Sequence, residues 1–152
     1  NIPDNKEMAA YADSIFESAH DLFFPLNPTI NVFVGENHLN HKKNLIDDIL
    51  PKAFNNFEKL LQKYEGNFFL GDQVFYCDFN VYHHLSLSLL LEKTVLDNYP
   101  KLKKFMINFE ALEGIKSYLD SRADLVDIGT WPKVIIDGEE YTSGTNPSYK
   151  YL

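Results

Sequence analysis

The chain has 152 residues and a mass of 17.6 kDa, the size of one domain or of one domain with a tail. Its 45% hydrophobic, 14% aromatic and 24% charged residues are an ordinary globular mixture and exclude a disordered chain. A net charge of −8, from 22 acids against 14 bases, argues against phosphate backbones and anionic membrane surfaces as partners.

The first predicted element is a helix over Asn5 to Phe24. Met8, Tyr11, Ala12, Ile15, Phe16, Ala19, Leu22 and Phe23 recur at three- and four-residue steps and form one apolar stripe. Asp4 is the expected N-cap, with Glu7 three residues on as its capping-box partner. Pro25 and Pro28 remove two backbone donors and are expected to end or kink the helix. Gly35 to Lys43, rich in Asn, Gly and His, reads as a loop. A second helix follows over Leu45 to Tyr64, with a bend expected at Pro51. Glu65, Gly66 and Asn67 stop it, Phe68 to Leu70 is a short extended apolar stretch, and Gly71-Asp72 is a turn.

Cys77 to Leu91 leaves little polar face, the pattern of a helix central to its domain. Tyr99-Pro100 opens a helix over Lys101 to Glu110 with Leu102, Phe105, Met106 and Phe109 inward. Glu113 to Arg122 is a last short helix with Ile115, Tyr118 and Leu119 inward. From Ala123 the periodicity fades into a tail of turns around Val134-Ile135-Ile136. The expected fold is all-α: a helical domain over 1–122 and an irregular tail over 123–152 packed on it.

Few other constellations carry chemistry. The single Cys77 excludes an intramolecular disulfide framework and a multi-cysteine metal site, and it reads as a small buried residue in a reducing compartment. His83 and His84 are neighbours that point about 100° apart on a helix and cannot share one metal. His38 and His41 lack a cysteine or carboxylate cluster to complete a zinc set, so no metal site is expected. No phosphate-binding glycine loop occurs. Lys101, Lys103 and Lys104, and the acids Glu110, Glu113, Asp120, Asp124 and Asp127, read as solvated surface. No apolar run approaches the ~20 residues of a membrane helix, and no basic leader precedes an apolar segment. The cytoplasm is the expected location. The chain begins at Asn1 and not at Met, so it is expected to be a piece of something longer.

Four blocks in order carry a family likeness. They are Leu50-Pro51 with Phe57-Glu58-Lys59-Leu60-Leu61; Phe69-Leu70-Gly71-Asp72-Gln73-Val74 with Asp78-Phe79; Leu96-Asp97-Asn98-Tyr99-Pro100-Lys101-Leu102 with Phe105; and Phe109 to Tyr118. This arrangement resembles the C-terminal helical domain of cytosolic glutathione transferases. The last block, and Ala12-Asp13, Glu17 and Asp21, resemble the mu class in particular. Asp78 then looks like the third residue of a capping box, accepting hydrogen bonds from free amides at the helix start, a structural role. The cap position holds Phe75 where the family has Ser or Thr, a departure that should cost roughly 1 kcal/mol unless Asp78 suffices.

The resemblance implies glutathione as substrate and a two-fold dimer, with Phe23, Phe24, Ile30, Val32 and Phe33 offering apolar surface to a second chain. It places Asp21 where an acid reaches across the dimer to the amino group of the neighbour's glutathione; the bland reading is a solvated Asp. Phe24, Phe33 and Trp131 would line the pocket for a hydrophobic electrophile, with Trp131 alternatively a tail anchor. Counting on from Asp21 reaches Asn31 where the mu class has a tyrosine. The thiol-activating group belongs to an N-terminal thioredoxin-like domain, absent from this sequence, so no catalytic residue is expected in this segment. Two functions stay open. One is the helical half of an enzyme conjugating glutathione to hydrophobic electrophiles. The other is a non-catalytic subunit joined to foreign partners in a larger assembly.

Overall fold

The computed structural model describes residues 2–121, 133–136 and 138–142. Among the described residues seven α-helices build the domain: α1 (Lys6–His20), α2 (Phe23–Asn31), α3 (Gly35–Asn44), α4 (Leu50–Leu60), α5 (Tyr76–Leu91), α6 (Pro100–Glu110) and α7 (Glu113–Ser121). The fold is all-α, as expected. In the tail, β1 (Lys133–Ile136) and β2 (Glu139–Thr142) pair antiparallel with Ile136 opposite Glu139, where irregular chain was expected. The β-branched run Val134-Ile135-Ile136 suits a strand. Gly138, at φ 83°, supplies the left-handed backbone of a two-residue hairpin turn.

The start of α1 differs from expectation by one residue. Asn5, not Asp4, is the cap: its Oδ1 accepts from the amides of Glu7 (2.8 Å) and Met8 (3.4 Å). The first break falls at Asp21-Leu22, ahead of both prolines. Pro25 then sits in the first turn of α2, where no amide donor is needed, and Thr29 Oγ1 donates to the Pro25 carbonyl (2.7 Å).

The largest departure is α3, expected as a loop. Its polar residues are mostly exposed, but Val34, His38 and Leu45 are buried along one side. The His38 Nδ1–H donates to the Thr29 carbonyl (2.9 Å) and ties α3 to α2. Hydrogen bonding in the helix and this thin buried stripe outweigh the turn-forming tendency of Gly35 and the asparagines. A π-helical turn, Leu45–Ile49, joins α3 to α4, with the Leu50 amide donating to the Leu45 carbonyl. The π turn shifts the bonding register just before Pro51, which has no amide hydrogen to place, and the helix passes through without a break.

α5 is the centre. Val81 and Leu85 are fully buried, and α1 lies along α5 with Ala12, Ile15 and Ala19 likewise buried. A cluster of rings closes the core between α4 and α6: Phe69 meets Phe57 edge-on at 6.3 Å and Phe105 at 5.3 Å. The connection between α4 and α5 is pinned by Gly66. A Cβ there would lie 2.3 Å from the Gly71 carbonyl carbon, and its φ is +143°, so only glycine permits this approach.

Candidate functional site

Asp78 occupies the start of α5 and is fully buried. Its Oδ2 accepts from the Phe75 amide (2.8 Å) and its Oδ1 from the Phe69 amide (3.1 Å). Phe75 offers no side-chain acceptor, so the Asp78 amide turns to the Phe75 carbonyl (3.1 Å). Half of a capping box is thus present, and the same carboxylate also fastens the preceding apolar turn. Burial pushes the carboxyl up to about 6, against the lowering effect of the two amides. Beside it, burial and then the Asp78 charge push the Cys77 thiol up to about 12. A thiol so held is a poor nucleophile at neutral pH.

The N-terminus of α6 is capped from a distance. Glu58 Oε1 on α4 accepts from the amides of Lys101 (2.8 Å) and Leu102 (3.1 Å). Sequence reasoning placed Glu58 only within a family block. The available signal was Tyr99-Pro100, a helix start with no capping side chain of its own, which requires an acceptor from elsewhere.

Asp21 stands at the C-cap of α1, exposed. It borders an open groove of about 410 Å³ with Ser18, Asp48, Lys52 and Asn56. Lys52 is paired with Asp48 (2.6 Å), and among the described residues no hydrogen bond or ion pair engages the Asp21 side chain. A carboxylate at the negative end of a helix dipole costs stability, about 0.3–1 kcal/mol.

Of the aromatic residues expected at the electrophile pocket, Phe24 and Phe33 are not brought together. Phe24 is 70% exposed and meets the edge of His20 and Phe23, while His20 stacks between Phe16 (6.3 Å) and Phe23 (5.7 Å). Phe33 belongs to a different cluster, stacked on His41 at 4.3 Å. Trp131 lies outside the described residues. Asn31, at the mu-class tyrosine position, donates to Asn27 Oδ1 (2.8 Å). Among the described residues an apolar cavity lies elsewhere. It measures about 380 Å³ and is walled by α5, the end of α6 and α7, and neither Phe24 nor Phe33 lines it. The unbroken apolar character of α5 was its only signal in the sequence.

Residues 20–122 match the family model described as "Glutathione S-transferase, C-terminal domain". The chain belongs to this family. It is 33% identical over 130 residues to a glutathione S-transferase of Plasmodium yoelii yoelii, covering 83% of this chain and 58% of that one. The structure of a Pi-class glutathione S-transferase from Onchocerca volvulus superposes with a TM-score of 0.70 at 27% identity, covering 79% of this chain and 57% of that one. The mu-class likeness is shorter: Glutathione S-transferase Mu 5 of Mus musculus is 34% identical over 92 residues, 60% of this chain and 40% of that one. The likeness therefore reaches the family and does not single out the mu class. The chain spans a little over half the length of the Plasmodium relative and the Onchocerca structure.

Proposed function

We propose that this chain is the helical half of a protein that conjugates glutathione to hydrophobic electrophiles in the cytoplasm, working as a homodimer. In this reading Asp21 holds the amino group of the neighbouring subunit's glutathione. Phe24 and Phe33, from their separate ring clusters, and Trp131 are the candidates for the electrophile side, with Trp131 alternatively the anchor that packs the tail over 123–152 on the helical domain over 1–122. The thiol-activating group lies on a thioredoxin-like domain that this sequence does not contain.

The observation that carries the reading is the unengaged Asp21 carboxylate at a helix C-terminus, in a chain of this family. A carboxylate suits an ammonium by simple Coulomb attraction. Dimerisation draws on Phe23, Phe24, Val32 and Leu39, each at least 40% exposed along α2 and α3. Exposed apolar surface of this kind is more stable when covered. The class within the family is left at glutathione transfer, since Pi- and Mu-type relatives both match. Among the described residues no helix is long and apolar enough to cross a membrane.

Retention of the complete polypeptide on immobilised glutathione, followed by turnover of an aromatic halide, tests the proposal. Asp21→Asn should weaken glutathione binding by up to about fivefold, the worth of an exposed ion pair. Neither retention nor turnover would leave the second reading, a non-catalytic subunit of a larger assembly. Asn31 in place of the tyrosine and Phe75 in place of a hydroxyl cap favour that alternative.

A further inference from the structure

We infer that α2 is an element released by acid: two buried neutral imidazoles, His38 from α3 and His84 from α5, hold it in place, and protonation of both frees it while the core around α5 and α6 stays folded. How α2 is held is independent of the family reading. Only the effect on dimerisation, through Phe23 and Phe24 on α2, rests on the proposed function.

α2 does not hold itself. Its 9 residues fall short of the ~12–15 at which an isolated helix becomes marginal in water. No side chain caps its start, and Pro28 inside it has no amide to donate. Its place comes from contacts with α1, α3 and α5. It comes also from His38, whose Nδ1–H bond to the Thr29 carbonyl (2.9 Å) satisfies one of the carbonyls left over at the end of α2.

His84 acts at the other end. Tyr76 Oη donates to Asp13 and Asn80 Nδ2 to the Phe16 carbonyl, so α5 and α1 run parallel. One turn on, His84 falls at the level of His20, where α1 gives way to α2. His84 is 2% exposed. Its Nδ1 lies 2.9 Å from the Asn80 carbonyl. A carbonyl only accepts, so Nδ1 carries the hydrogen, and the bare Nε2 has no hydrogen-bond partner among the described residues. A proton arriving there creates a buried cation with nothing to bond.

Among the described residues no opposite charge is set against either ring. His84 faces His83, 5.2 Å away on its own helix, and His20 on α1, both of which, once protonated, oppose a further positive charge. α2 has no titratable side chain, and Asp13, Glu17 and Asp21 of α1 are exposed. The charged neighbour of His38 is Lys42, itself paired with Glu92 (3.3 Å). On the adjoining π turn, Asp47 and Asp48 are held by Lys43 and Lys52. Burial foremost keeps both rings below the ordinary imidazole range. The stability they lend is present above about 6.5 and is lost as pH falls through their folded values. Asp78 carries the opposite sign, since its raised carboxyl favours the folded state on acidification. Acid thus loosens α2 and tightens the start of α5, which confines the opening to α2.

The test is amide hydrogen exchange of the complete polypeptide, read by mass spectrometry at about pH 7.5 and about pH 5 and corrected for the intrinsic pH dependence of exchange. Exchange in α2 should be accelerated at the acid value at least about fivefold more than exchange in α6. His84→Leu removes one titrating ring and keeps an apolar filling, and His38→Asn keeps a donor for the Thr29 carbonyl without titrating. Each should remove part of the acid effect, and both together all of it. Should the double variant be unfolded by circular dichroism, NMR of the two rings in the unsubstituted protein decides: each must gain its proton over the pH range in which α2 opens. Equal acceleration in α2 and α6, no acceleration in α2, an acid effect that survives both substitutions, or opening of α2 with either ring still neutral overturns the inference. Light scattering tests the consequence separately: opening of α2 at an unchanged mass supports the release and counts against α2 as the dimer surface.

Discussion

Replacing Asp78 by alanine removes a fully buried carboxylate that accepts two backbone amides. The substitution strands the amides of Phe69 and Phe75, which bond to its two oxygens at 3.1 and 2.8 Å. A buried amide without a partner costs about 1–3 kcal/mol, and the loss of negative charge at the start of α5 adds about 0.3–1 kcal/mol. Removing a buried carboxylate gives some of this back, so the expected loss at pH 7.5 is about 3 kcal/mol. The pH dependence has a definite sign. The folded carboxyl titrates at about 6 against 3.8 in the unfolded chain, so the folded state holds the proton more tightly. The stability this titration contributes is complete below about pH 4 and disappears as pH rises through about 6. The difference between 3.8 and about 6 corresponds to about 3 kcal/mol. The penalty of Asp78→Ala should therefore widen from pH 7.5 toward pH 4.5. Urea unfolding of both proteins, followed by circular dichroism at several pH values, measures it. A penalty below 1 kcal/mol at pH 7.5, or one that narrows on acidification, would refute the reasoning.

Three further outcomes are expected. Glu58→Ala uncaps α6 from the α4 side and should cost about 1–2 kcal/mol in chemical denaturation, whereas Glu58→Gln, which keeps an acceptor oxygen, should recover part of that. His38, held below the ordinary imidazole value mainly by burial, should titrate below 6.5 by NMR; its contribution to stability is present above about 6.5 and falls away as pH drops through its folded value. Gly66→Ala should destabilise strongly in a thermal melt, since its Cβ would overlap the Gly71 backbone, while Gly114→Ala in α7, with open space around it, should raise stability by up to about 1 kcal/mol; equal effects at both glycines would contradict this account.

The helices legible from the sequence are those whose stripe is thick. α1, α5 and α6 carry an apolar residue at nearly every third or fourth position, and burial of that stripe is what stabilises them. Asp78 was legible for a related reason: a helix start without an acceptor at Phe75 needs one nearby in the chain. Asp21 was legible only through the spacing of a family block, because nothing local marks an exposed acid as special.

α3 was not legible, since what holds it is a buried stripe of Val34, His38 and Leu45 and a bond from His38 to Thr29, a residue on another helix. The capping of α6 by Glu58 joins residues 43 positions apart, and no periodicity encodes such a pairing. The same holds for the electrophile-side aromatics: Phe24 and Phe33 are near in sequence, but the break after Asn31 assigns them to separate clusters. The cavity between α5 and α7 exists only because two helices lean together. Periodic burial acts over four residues and can be read along a chain. The direction in which helices cross, and therefore which side chains converge on one space, depends on packing among all of them and was decided by the tertiary structure alone.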